Sequence, residues 1–336
     1  MPAAQDLIFT APLDSAVPSV TPASSPARLF LTTETGTRRF WEFFTVHIRN
    51  PHTRRAYFHA ASLFSDWCIG RQLALAAVEP VHVAAYIESL TASHSKPTVK
   101  QHLAAIRMLF DWLVVGQILP RNPAHAVRGP RYSVKQGKTP VLSAGEMRLL
   151  LDSIPIRGQD GEPLLIGLRD RALIALMGYT FARVGPVMQM KVSDYYVQKR
   201  RGWVRLQEKG GKINDLPCHH NLEQYLEEWL SESGLSRLPH APLFPAMRQG
   251  KLSSHQRHLS QGNIYFMIQR RARQAGIQTR IGCHSFRATG ITTYLQNGGK
   301  LEVAQRMAGH ESARTTGLYD RRNDSVALDE VERVVY

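Results

Sequence analysis

Apolar residues recur at helical spacing along most of this chain and switch to strand-like alternation in one short stretch. Arg38–Arg49 reads as a first helix. Asn50-Pro51 breaks it and starts a second, His52 to Ile69, with Tyr57, Ala60, Leu63, Phe64 and Trp67 on one stripe. Glu79-Pro80 opens a third through Leu90. Ser95-Lys96-Pro97-Thr98 caps a fourth, running to Val115 with Leu103, Ile106, Phe110 and Leu113 inward. Further on, helical spacing returns in Ser143–Ile154, Leu165–Gly178, Asn221–Ser233, Asn263–Gly276, Phe286–Asn297, Leu301–Ala308 and Ser325–Val334. Between them, Val192–Leu216 alternates in short runs around Arg200-Arg201-Gly202 and Gly210-Gly211, which predicts a small antiparallel sheet. The fold class is therefore mainly α with that one sheet.

Composition sets the domain limits. At 336 residues the chain exceeds one ordinary core, so two domains are expected. Residues 1–36, rich in Pro, Ser, Ala and Thr, read as a disordered tail. Residues 37–127 form a compact helical domain and 128–140 a basic linker without acids. Residues 141–322 form a second domain, and 323–336 end in a short amphipathic helix.

Charge narrows the partner. Forty-two Lys and Arg against twenty-seven Asp and Glu give a net +15. That excess points to a polyanion such as nucleic acid. Residues 38–131 carry +7 and 132–336 carry +10, so both domains share it. Arg54, Arg55, Lys96, Lys100 and Arg107 of the first domain, with Arg131, Lys135 and Lys138 of the linker, are the candidate backbone contacts. No apolar run is long enough to span a membrane, and no secretory signal opens the chain, so the cytoplasm, at the nucleoid, is the expected location. Three widely spaced cysteines, Cys68, Cys218 and Cys283, make a disulfide framework improbable.

Four pieces carry candidate chemistry, and each has a plain alternative. Arg183 ends an apolar stretch and can grip a phosphate bidentately, or simply cap a helix C-terminus. Glu208-Lys209-Gly210-Gly211-Lys212 is a hairpin tip with an ammonium, or a solvated turn. His284 and Arg287 share one helix face at i, i+3, a spacing also common by chance. Gly309-His310 and then Tyr319 supply an imidazole and a phenol, although a tyrosine is more often a packing residue. Contiguous Cys218-His219-His220 is poorly spaced for zinc, and the carboxylates form no two-metal set, so neither metal nor cofactor is expected.

In this order and spacing, Arg183, Lys209, His284, Arg287, His310 and Tyr319 resemble the catalytic set of the tyrosine recombinase (phage integrase) family. His52-Thr53-Arg54-Arg55-Ala56-Tyr57, Trp67-Cys68, Lys96-Pro97-Thr98-Val99 and Asn122-Pro123-Ala124 resemble its SAM-like core-binding domain, so the likeness covers roughly 37–322. It implies an α+β catalytic domain and a C-shaped clamp on double-stranded DNA. The implied enzyme is a site-specific DNA recombinase that works through a 3′-phosphotyrosyl intermediate and a four-way junction. It also implies a homo-tetramer on inverted-repeat sites, a possible accessory directionality protein, and a C-terminal helix exchanged between protomers. The event itself (integration, excision, inversion or dimer resolution) is left open. Lys212 is the alternative to Lys209, and Pro186 stands where the family usually has an acid. Two competing readings are a type IB topoisomerase and a DNA-binding regulator with vestigial catalytic residues.

Overall fold

The computed structural model describes residues 27–133, 137–208, 211–252, 257–320 and 332. The chain divides into two compact units, with the break after Ser133.

Among the described residues the first unit holds four α-helices: α1 Glu34–Glu42, α2 Pro51–Ile69, α3 Pro80–Ser93 and α4 Lys96–Val115. Each of the last three begins with a proline in its first two positions, where its fixed φ suits the helix and its missing N–H costs nothing. Asn50 closes the start of α2 by accepting from the amides of His52 and Thr53. The centre is aromatic. Phe30 stacks on Phe40 at 5.3 Å, and Phe40 meets Phe44 edge-on at 5.0 Å.

Two expectations change here. The first helix starts four residues earlier, capped by Thr33, and after Glu42 it widens into a π-helical turn over Phe43–His47. Phe43 and Phe44, adjacent in that turn, are both buried in the core. Residues 27–36 are also not part of a disordered tail. Arg28–Phe30 forms a 3-10 turn, Leu29 and Phe30 are buried, and the Leu29 amide donates to Ser65 Oγ at 3.0 Å. The pair Leu29-Phe30 is too short to show a period, yet it is apolar enough to anchor the segment. Residues 1–26 lie outside the described residues.

The second unit has α5 Ala144–Asp152, α6 Leu165–Thr180 and α7 Val184–Gln189 before its main sheet. That sheet is an antiparallel meander of β1 Tyr195–Gln198, β2 Arg201–Gln207 and β3 Ile213–Pro217. Then follow α8 His220–Ser233, a hairpin of β4 Met247–Arg248 and β5 Lys251–Leu252, and α9 Gln261–Gln274. The last elements are α10 Cys283–Gln296, α11 Leu301–Met307 and α12 Ala313–Gly317. The alternation in β2 puts Val204 and Leu206 inward and Arg205 outward, opposite Asp215 at 2.9 Å.

Helix α6 is buried nearly all round and packs on α8 and α10. Fully buried Asp170 on α6 accepts from Arg271 of α9 at 2.8 Å and from neighbouring Arg169 at 2.7 Å, so this internal carboxylate is paired on both oxygens. Where α10 crosses α6 the backbones nearly touch: a Cβ on Gly290 would lie 2.2 Å from the carbonyl oxygen of Gly178. That crossing fixes the site described next. The terminal segment 323–336, apart from Glu332, lies outside the described residues. Among the described residues no helix is long and apolar enough to cross a membrane.

Candidate active site

Helix α6 stops at Thr180 because Phe181 turns left-handed, with φ 58°. Arg183 therefore does not cap α6; it is the residue before α7, in an extended conformation. Its side chain is about two-fifths exposed, and its Nη1 donates to Glu208 Oε2 at 2.8 Å.

Helix α10 brings His284 and Arg287 to the same place. Arg287 is wholly buried, and its two terminal nitrogens donate to the carbonyls of Phe181 and Ala308. Its Nε–H is buried without a hydrogen-bond partner among the described residues. The guanidinium thereby ties the end of α6 to the end of α11.

After α11 the chain reverses at Gly309, φ 56°, and His310 folds inward. His310 Nδ1 pairs with Thr316 Oγ1 at 2.9 Å, and its carbonyl accepts from Gln305 Nε2 at 3.1 Å. Thr316 is fully buried on α12, so the ring is held from behind. Tyr319 follows directly. Its ring stacks on His310 with centroids 5.9 Å apart and planes 5° from parallel. Its carbonyl accepts from Thr292 Oγ1 at 2.9 Å, and its Oη lies 2.8 Å from His284 Nε2. Just before it, the Leu318 carbonyl accepts from the Gly137 amide at 2.7 Å, so the far end of the basic stretch 128–140 is packed beside the tyrosine.

The electrostatics suit an anion. Burial, then the charges of Arg287 and Arg183, push His310 down to about 3. His284 keeps an exposed edge, yet the protein around the rest of its ring lowers its pKa too, with Arg287 and Arg183 adding to the effect. Both imidazoles are thus neutral near pH 7, when each offers one donor and one acceptor nitrogen. Burial and Arg183 lower Arg287 to about 10, which leaves it a cation. Two guanidiniums, two neutral imidazoles and a phenol lie together at this site.

The structure joins Arg183, His284, Arg287, His310 and Tyr319; Lys209 lies outside the described residues. Lys212 is exposed and pairs with Glu311 at 3.4 Å. Of the candidate DNA contacts, Arg55, Lys96, Lys100, Arg131 and Lys138 are exposed, and Lys135 lies outside the described residues. Two are otherwise engaged. Arg107 is half-buried, with its guanidinium on the carbonyls of Ala124 and Val127, and Arg54 donates to the Ile48 carbonyl at 2.9 and 3.0 Å. Both side chains close loops of their own unit, a use that a helical-wheel reading of exposed positions does not reveal. The sequence reading also gave no role to Glu208, Thr292 or Thr316. Only Glu208 left a trace in the sequence, as an acid beside the hairpin lysine.

The model of the phage integrase family matches residues 145–325, and that of the family's N-terminal SAM-like domain matches residues 38–116. The chain belongs to the phage integrase family. It is a tyrosine recombinase, of the enzyme class that cleaves and rejoins DNA strands in site-specific recombination. Tyrosine recombinase XerC of Chlamydia pneumoniae is 28% identical over 241 residues, 71% of this chain and 72% of the relative. XerC of Mycobacterium sp. (strain KMS) is 28% identical over 275 residues, 81% and 88%. Among solved structures, the XerH site-specific recombinase bound to difH substrate superposes with a TM-score of 0.65 at 20% identity, covering 90% of this chain and 84% of that one. A lambda integrase tetramer bound to a Holliday junction gives 0.63 at 17%, covering 87% and 79%. These two likenesses establish the recombinase fold.

Proposed function

We propose that the chain cuts one DNA strand at a time, with Tyr319 as nucleophile, at inverted-repeat sites occupied by four protomers. The observation that carries this is the 2.8 Å contact between Tyr319 Oη and His284 Nε2, beside two buried or half-buried guanidiniums. Tyr319 Oη attacks the scissile phosphorus in line and its proton passes to neutral His284. The bond from phosphorus to the 5′-oxygen breaks, leaving a 3′-phosphotyrosyl link and a 5′-hydroxyl. Arg183 and Arg287 offset the charge on the non-bridging oxygens, Arg287 through its charge and its unengaged Nε–H, and His310 donates as that charge grows. Lys209, with Lys212 as the alternative, protonates the departing oxygen. A 5′-hydroxyl from another strand then reverses the step without ATP, through a four-way junction.

In this reading residues 37–127 and 141–322 grip the duplex jointly, Arg55, Lys96, Lys100, Arg131 and Lys138 engage its phosphates, and 323–336 docks on a neighbouring protomer. A separate protein sets the direction of exchange. The protein acts at the nucleoid and needs neither metal nor cofactor. Sequencing DNA that stays attached to the purified protein through Tyr319 tests the assignment and identifies the site. The expected result is one recurrent sequence, lost in Tyr319→Phe. Attachment through another residue would disprove it, and relaxation of supercoils without exchange between two sites would point to a topoisomerase.

A further inference from the structure

Arg183 has a single side-chain hydrogen-bond partner among the described residues, Glu208. The helix that follows Arg183, Val184–Gln189, contains no acid and has Pro186 in its first turn. Glu208 arrives from a different element. It continues the inward face of β2 after Val204 and Leu206, and its amide donates to the Lys212 carbonyl at 2.7 Å, extending the ladder by one step. The alternation that buries two hydrophobic side chains therefore buries a carboxylate as well, with its side chain only 6% exposed.

Packing alone gives no reason for a carboxylate at this place. One oxygen, Oε2, is on Arg183, while Oε1 is buried with no partner among the described residues. An unmatched buried carboxylate oxygen is destabilising, and a buried ion pair is often no better for stability than an apolar pair of the same size. The surroundings are nonetheless shaped to it. A Cβ on Gly309 would come within 3.4 Å of Glu208 Cγ and 3.5 Å of its Cδ, so the turn that delivers His310 lies directly on this side chain. Gly309 is also left-handed, a conformation that side chains rarely adopt.

We propose that Glu208 is the positioning residue of this active site. It holds the Arg183 guanidinium at the phosphate, a task for which the helix after Arg183 supplies no acid. The proposal rests on the assignment of Arg183 to the scissile phosphate. Without the carboxylate, a long and partly exposed arginine loses its one side-chain hydrogen-bond partner among the described residues, and part of its binding energy goes into ordering it.

The test uses the full-length protein and a nicked duplex carrying the DNA recovered from the wild-type covalent complex, under single-turnover conditions. Glu208→Gln keeps the size and removes the charge. It should slow formation of the phosphotyrosyl link about 10- to 100-fold, the range seen when outer partners of functional groups are lost. DNA affinity and thermal melting should stay near wild type, and Glu208→Asp should recover part of the rate. In an Arg183→Ala background the Glu208→Gln change should have almost no further effect, because its consequence passes through that arginine. Glu208→Gln cleaving at the wild-type rate, or slowing the Arg183→Ala protein by the same factor as the parent, would overturn the proposal while leaving the nucleophile assignment intact. A wild-type protein that forms no link to Tyr319 would remove both.

Discussion

His284 Nε2 and Tyr319 Oη sit 2.8 Å apart although 35 residues separate them in the chain. The imidazole and the hydroxyl come from α10 and from the turn after α12, and Thr292 of α10 also holds the Tyr319 carbonyl. Under the proposed assignment, proton transfer from Tyr319 to His284 needs no rearrangement from this geometry.

Tyr319→Phe should abolish the covalent complex with DNA, seen as loss of the slow-migrating band on a denaturing gel. The ring still stacks on His310, so the fold should lose only about 1 kcal/mol with the hydrogen bond. Retention of DNA on a filter should be unchanged. A persistent band would disprove the assignment.

Stability should fall as the pH drops through the histidine range. His310 titrates near 3 in the folded protein and near 6.5 in an unfolded chain, so between those values the unfolded state binds the extra proton. Stability is therefore fully present above about pH 6.5 and is lost progressively towards pH 3. His102 in the first unit, lowered to about 4 by its own burial, acts in the same sense. Urea titrations of wild type and His310→Gln separate the two: the pH slope of the variant should be shallower. Equal slopes would contradict a buried neutral His310. Thr316→Val removes the partner of Nδ1 and should lower the cleavage rate about 10-fold with DNA binding intact.

Gly290→Ala tests the helix crossing. Its Cβ would fall 2.2 Å from the Gly178 carbonyl oxygen and 2.5 Å from the Phe181 ring, and neither can yield locally. Destabilisation of about 1–3 kcal/mol is expected from overpacking, read as a lower urea midpoint. Cleavage should fall further than stability, because Arg287 is carried on the same helix. A variant with wild-type cleavage would show that the crossing can relax.

Arg107 and Lys100 should behave oppositely. Arg107→Ala leaves the Ala124 and Val127 carbonyls without their donor and should destabilise the first unit by about 1–3 kcal/mol. Lys100→Ala should leave stability unchanged and reduce the slope of log K against log salt by about 0.9 if it meets one phosphate. An unchanged slope would remove Lys100 from the interface.

What the sequence made legible followed local rules. Helices α2, α3 and α4 announce themselves through Pro51, Pro80 and Pro97, and the sheet through its period of two. His284 and Arg287 share a helix face, so their proximity needs no tertiary information. The hidden parts depend on distant contacts. The π-helical turn at Phe43–His47 left no signal in the spacing of apolar residues, and the partner of the Leu29 amide is a serine 36 residues away. Glu208 meets Arg183 across 25 residues: the alternation of β2 turns the carboxylate inward, but which group it meets there is set by a distant part of the chain. Arg107 carries the charge of a DNA contact and does the work of a loop brace.

Tyr319 is docked among histidines and arginines of its own chain, fixed by Thr292 on its backbone and by His310 along its ring. Under the proposed assignment each subunit supplies its own nucleophile, its own base and both guanidiniums. Two inactive proteins, one lacking the hydroxyl and the other lacking Arg287, then cannot complement one another when mixed, because no combination of subunits rebuilds a whole centre. In that reading a neighbouring protomer contributes none of these groups.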